Sequence, residues 1–311
     1  MQDSDELRWN EASAIFDNVE QTFDQDEYDS CLKLLARLRG KFEDLVDIWN
    51  IDMWQGLCNY HKGEFQTARM FLEKALAEVR KLEGKEPCLF SILNALGNSN
   101  YELGNYSASA SQLSEALSVA SRHKDIVNEY ASDVTIFWAH FYNGKSLGML
   151  RRDSEALKAF LEAKLILTKS RKFKEYSHTK ECLAKVEYEI GRVYYLMCRF
   201  SEARRQLESV QVDDLPDGTS CFYFSCLGSN YYYERIYDLS LKTYNKLLEL
   251  GVPEGREDRV FFEMGYCYFQ TSDLKNAQRF FKKCLESEAD SPEFHDYAKQ
   301  GLVEVQKASN K

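Results

Sequence analysis

Apolar and polar positions along this chain recur with a helical period, and six glycines set a common register for them. The anchors are Gly56, Gly97, Gly144, Gly191, Gly228 and Gly265. Nine residues on lie Phe65, Tyr106, Asp153, Phe200, Tyr237 and Leu274. Twelve on, every residue is small: Ala68, Ser109, Ala156, Ala203, Ser240 and Ala277. Sixteen on, every residue is large: Leu72, Leu113, Phe160, Leu207, Tyr244 and Phe281. Nineteen on lie Ala75, Ala116, Ala163, Val210, Leu247 and Cys284. A degenerate first unit fits around Val19, with Tyr28, Cys31, Leu35 and Leu38 in the matching places. No gap is needed inside any unit. The chain shows no convincing alternating run that would predict a sheet.

Each unit predicts a helical hairpin. A glycine inside a helix costs roughly 1 kcal/mol relative to alanine, so its recurrence needs a packing reason. Glycine opposite a small residue would let two antiparallel helices approach closely. The large residue one turn beyond the small one falls on the same face and fills the layer. A lone hairpin leaves an apolar face open, and stacking on the next hairpin closes it.

The pattern resembles the tetratricopeptide repeat family, which pairs Leu-Gly with an aromatic three residues on, then a small and a large residue in the second helix. Here the pair is Leu96-Gly97 and Leu227-Gly228, and the aromatic is Tyr194, Tyr231 and Tyr268, replaced by Asn59, Asn100 and Leu147 in the other units. Phe224 and Phe261 stand for the family's early Trp, and Pro216, Pro253 and Pro292 approximate its closing Pro. The resemblance covers about residues 6–290 and implies an all-α, right-handed α-solenoid. It would hold about seven hairpins plus a C-terminal capping helix: a first hairpin over 6–47, six clearer ones over 48–290, and a cap over 291–307. The anchors are spaced by 41, 47, 47, 37 and 37 residues, longer than the family's usual period of about 34. Longer helices (Ala68–Arg80, Ala156–Lys169) and loops at Gly84–Pro87, Asp213–Thr219 and Gly251–Arg256 account for the excess. With no low-complexity linker, a single solenoid over 1–311 is expected, with Asp213–Thr219 the nearest thing to a boundary and a frayed end from Ala308.

Composition narrows the function classes. The chain has 311 residues, 44% hydrophobic, ample for a core. The acidic N-terminus lacks a signal peptide's apolar stretch, and no apolar run approaches a membrane span. The nine cysteines then read as free thiols in a reducing compartment, cytoplasmic or nuclear. Net charge is −10, which argues against a general nucleic-acid binder. Residues 145–185 are locally basic, with eleven Lys/Arg against five Asp/Glu, a solvated surface or a seat for an acidic peptide.

No phosphate loop, H-E-x-x-H or C-x-x-C occurs, and the five histidines are dispersed. The chain therefore reads as a non-enzyme with no metal and no cofactor. What remains is the concave face, which the family resemblance assigns to the first helix of each hairpin. Residues three before and one, four and five after each anchor point into it. They include Met53, Tyr60, His61, Asn94, Asn98, Glu102, Phe141, Lys145, Tyr188, Arg192, Tyr232 and Tyr266, and the aromatics among them fit a groove or an ordinary core equally. Asn side chains can donate to and accept from a peptide backbone, and Arg binds carboxylate bidentately. The expected partner-binding set is Asn94, Asn98, Lys145, Tyr188, Arg192, Tyr232 and Tyr266. Asn98, Lys145 and Arg192 are similar to the terminal-carboxylate clamp of chaperone-tail binders in that family. Asn94 replaces its Lys, and Glu189 stands where a further Arg belongs and would repel a carboxylate. The expected function is an adaptor or scaffold that binds a protein or peptide, acidic or C-terminal, in the groove. The alternatives are a peptide-gated regulatory solenoid, for which residues 1–50 leave no separate effector domain, and an RNA-end binder.

Overall fold

The computed structural model describes residues 2–123, 133–171, 173, 176–288 and 291–310. Among these residues it holds fifteen α-helices and no strand. The chain forms two compact units, Met1–Glu175 and Tyr176–Lys311, a division that does not coincide with the Asp213–Thr219 loop. Unit 1 contains four hairpins: α1 (Gln2–Asp24) with α2 (Tyr28–Lys41), α3 (Ile48–His61) with α4 (Phe65–Val79), α5 (Glu86–Glu102) with α6 (Tyr106–Arg122), and α7 (Asp133–Met149) with α8 (Asp153–Lys169). Unit 2 contains three: α9 (Thr179–Leu196) with α10 (Phe200–Glu208), α11 (Thr219–Tyr233) with α12 (Tyr237–Leu250), and α13 (Glu257–Gln270) with α14 (Leu274–Glu286). It closes with the capping helix α15 (Pro292–Ser309), which ends two residues into the stretch expected to fray. Within each unit every helix packs on the next, and first helices also touch first helices. The expected loops hold between α12 and α13 and before α11, whereas Pro87 belongs to the first turn of α5, where its missing N–H costs nothing.

Every second helix opens on the residue nine past its anchor, from Tyr28 to Leu274. The reason is the turn before it. The residue seven past each anchor is left-handed: Gly63 and Gly104 at φ 78° and 77°, and Asp26, Arg151, Cys198, Arg235 and Ser272 at φ 58° to 64°. The next N–H then donates back to the carbonyl three past the anchor, as in Glu64 to Asn59, Arg199 to Tyr194 and Ile236 to Tyr231, each at 2.9 Å. This is the Schellman closure of a helix end, a motif that favours glycine at the left-handed position. Five turns lack that glycine, and an L side chain there costs about 1 kcal/mol or more. Arg235→Gly is therefore expected to stabilise by about 1 kcal/mol, read as a higher denaturant midpoint, and Gly104→Arg to do the opposite. A lower midpoint for Arg235→Gly would show that its side chain contributes more than the turn costs.

The anchors are explained by contact, with one correction. A methyl carbon built on Gly56 would lie 2.5 Å from Leu72, on Gly97 2.5 Å from Leu113, and on Gly144 2.8 Å from Phe160. On Gly191, Gly228 and Gly265 it would lie 2.6 Å from Leu207, Tyr244 and Phe281. The space a Cβ would occupy is thus filled by the large residue sixteen on, not by the small one twelve on. The small residues are fully buried instead, and Ser240 Oγ donates to the Gly228 carbonyl at 2.9 Å. The cap repeats the device, since a methyl on Gly301 would lie 2.5 Å from Phe281.

Candidate functional site

In unit 1 the first helices α3, α5 and α7 lie side by side and enclose an open cavity of about 460 Å³. Asn94, Asn98 and Glu102, four residues apart, form one stripe of α5 that faces it. α3 contributes Tyr60 and His61, and α7 contributes Val134, Trp138 and Tyr142. Asn98 is 2% exposed, and its Nδ2 donates to the Tyr60 hydroxyl at 3.3 Å. The Oδ1 atoms of Asn94 and Asn98 are both buried and accept no hydrogen bond. A buried acceptor left unpaired costs of order 1–3 kcal/mol, so these two are poised for an added donor. Burial raises the Tyr60 and Tyr142 phenols above their ordinary range, with the Glu102 carboxylate adding to the rise, so both stay neutral donors. Burial lowers His61, which is therefore uncharged at neutral pH, and its ring stacks on Tyr28 at 5.2 Å.

Lys145, the third expected site residue of unit 1, does not line this cavity. Its ammonium lies 4.8 Å above the Tyr101 ring and 6.0 Å from the Phe141 and Tyr142 rings. Trp138 and Tyr142 line the cavity although the sequence did not mark them. The face of α7 that reaches the cavity is the stripe Val134, Trp138, Tyr142, turned one position from the register that α5 obeys. Phe141, in the expected register, is 5% exposed and packs edge-on against Phe160 in the hairpin core. The large Phe160 against Gly144, where other unit 1 hairpins carry Leu, accompanies that turn.

In unit 2 a second cavity of about 290 Å³ holds Tyr188 and Arg192 but neither Tyr232 nor Tyr266. Tyr188 is 8% exposed and belongs to the core with Tyr223 and Leu227. Arg192 Nε donates to Glu189 at 2.7 Å, so the carboxylate expected to repel a ligand instead neutralises the arginine. Tyr232 and Tyr266 pack edge to face at 5.6 Å, and Phe262 beside them is covered by Phe294 and Tyr297 of α15. Those aromatics are partly core. Cys226 also lines this cavity, and burial pushes its thiol up to about 12, which keeps it protonated. The seven expected residues thus fall into two sets, Asn94, Asn98 and Lys145 in unit 1 and the remaining four in unit 2.

Comparison with known families decides the class. Residues 47–122 match one tetratricopeptide repeat model and residues 258–291 match another. These stretches are tetratricopeptide repeats. No particular member is indicated, and a comparison with curated proteins returns no match. The C-terminal part of a TPR repeat-containing protein from Cytophaga hutchinsonii is similar in fold. Its TM-score is 0.53 at 16% identity, over 91% of this chain and 98% of that one. The apo form of RapI gives a TM-score of 0.53 at 10% identity, over 94% of this chain and 99% of that one. At these identities the likeness is one of fold. Among the described residues no helix is long and apolar enough to cross a membrane, and all nine cysteines are free.

Proposed function

We propose that the chain is an adaptor that holds an extended segment of a partner protein against the α3–α5–α7 face of unit 1. The tetratricopeptide fold is in general that of a protein-interaction scaffold. One observation carries the finer reading: two unpaired amide oxygens, Asn94 and Asn98, sit in an aromatic-walled cavity on three successive first helices. A peptide backbone supplies the N–H donors those oxygens lack, and Trp138 and Tyr142 offer large rigid contact area. A preformed face of this kind avoids the ordering cost that weakens flexible binders. The unit 2 set supports the reading less, because Arg192 is already paired and the aromatics pack on one another. The basic stretch adds little for a nucleic acid, since Arg152 pairs with Glu155 and Lys185 with Glu181. Lys172 and Lys174 of that stretch lie outside the described residues.

The test is selection from a displayed library of random peptides against the full chain, followed by affinity measurement on purified variants. Trp138→Ala and Asn98→Ala are expected to weaken the selected peptides by at least about tenfold. Lys158→Ala, an exposed position on the second helix α8, should leave affinity within about twofold of wild type. Should peptides bind the first two variants as they bind wild type, with helicity unchanged, the partner lies elsewhere on the chain.

A further inference from the structure

We propose that the unit 1 cavity seats a basic side chain, Lys or Arg, of the bound segment, a reading that rests on the peptide-binding function above. Four aromatic side chains line it, Tyr60, Phe65, Trp138 and Tyr142, and among the described residues no Lys or Arg does. The one carboxylate among its described lining residues, Glu102, is exposed at the end of α5 and pairs with no cation within 4 Å among the described residues. Two more of its polar atoms, Asn94 Oδ1 and Asn98 Oδ1, are buried acceptors in want of donors. His61 is held neutral by burial and adds no positive charge. Aromatic faces, a carboxylate and unpaired carbonyl oxygens all favour a cation that carries several N–H donors. An acidic side chain would meet the Glu102 charge and find no positive partner among the described residues of the cavity wall.

The chain already displays this preference beside the cavity. Lys145 extends its ammonium across the Tyr101 face at 4.8 Å, with Tyr142 at 6.0 Å, and pairs with no carboxylate among the described residues. Tyr142 is shared between that contact and the cavity wall. Its ring therefore already carries a cation nearby, and Lys145 is the group that would compete with an incoming one. The volume, about 460 Å³, exceeds a single basic side chain and leaves room for the flanking backbone to reach Asn94 and Asn98.

The experiment uses pools of octapeptides, acetylated and amidated to remove terminal charge, randomised except for a central Lys, Arg, Gln or Glu. Binding to the full chain is read by fluorescence polarisation. The Lys or Arg pool should bind about tenfold tighter than the Gln pool. Glu102→Gln should cost the basic pools about threefold and leave the Gln pool unmoved. Trp138→Ala should remove the preference altogether, and Lys145→Ala should strengthen the basic pools. If all four pools bind equally and Trp138→Ala weakens them all, the groove stands and the cationic assignment falls. Should the Glu pool bind best and lose affinity on Lys145→Ala, the site is for acidic segments and the proposal is overturned. Absence of any binding sensitive to Trp138→Ala would overturn both readings.

Discussion

Gly228→Leu is expected to destabilise the chain by at least ~2 kcal/mol, because overpacking a tight contact forces neighbours off their positions. Even the first added carbon would lie 2.6 Å from Cε1 of Tyr244, and that ring has nowhere to go. Tyr244 is fully buried, and its hydroxyl is held by Glu263 and lies 2.9 Å from Ser229 Oγ. Moving the ring to admit a side chain at Gly228 would break that bonding as well. Gly228→Ala should show the smaller effect of the same sign, since overpacking exceeds the helix propensity gained, about 1 kcal/mol. Gly40→Ala is the internal control. Nothing lies within 4 Å of a Cβ there, so propensity acts alone and the change should stabilise by up to about 1 kcal/mol. Opposite signs for the two alanine variants, read as denaturant midpoints by far-UV circular dichroism, are the expected result. Gly228→Leu at the wild-type midpoint would mean that α11 and α12 do not pack as described.

The repeat register was readable because packing imposes it on side chains directly. Residues twelve, sixteen and nineteen past each anchor are buried in every hairpin, down to Cys31, Leu35 and Leu38 of the degenerate first one. The left-handed turn residue was not readable, since only Gly63 and Gly104 carry the residue that the conformation favours. Asp26, Arg151, Cys198, Arg235 and Ser272 adopt it as L residues, within turns closed by the same backbone bonds. The cavity-facing positions of Asn94 and Asn98 were legible because α5 keeps the common register. Those of Trp138 and Tyr142 were not, because α7 presents a face one position away from it. The pairing of Arg192 with Glu189 had a local signal in their three-residue spacing on one helix. Reading Glu189 only as a repulsive charge toward a ligand missed it. The Arg259 and Glu263 pair had the same kind of signal and was equally missed. An i,i+4 pair on a helix usually means a solvated surface, and what buries this one comes from other hairpins of unit 2.

Arg259→Met is expected to be the most destabilising single change of charge in unit 2, by about 3–5 kcal/mol. Glu263 is 1% exposed, and its Oε1 accepts from Arg259 Nε at 2.8 Å. Its Oε2 accepts from Ser229 Oγ at 2.8 Å and from the Tyr244 hydroxyl, while Arg259 also donates to Tyr195. Three helices, α11, α12 and α13, meet at this one carboxylate, and α9 joins them through the bond between Arg259 and Tyr195. Removing the guanidinium leaves the carboxylate buried with hydroxyl donors alone, and breaking a buried pair costs more than the pair contributes. The double variant Arg259→Met with Glu263→Met should therefore be more stable than Arg259→Met alone. Its remaining hydroxyls, on Ser229 and Tyr244, already lie 2.9 Å apart and can satisfy each other. A double-mutant cycle on denaturant midpoints should return a coupling of about 2 kcal/mol or more, within the range for residues in one network. Additive effects, with the double variant as unstable as the two singles summed, would show that the two charges do not depend on each other. The joint of the four helices would then rest on apolar packing, with the ion pair only lying inside it.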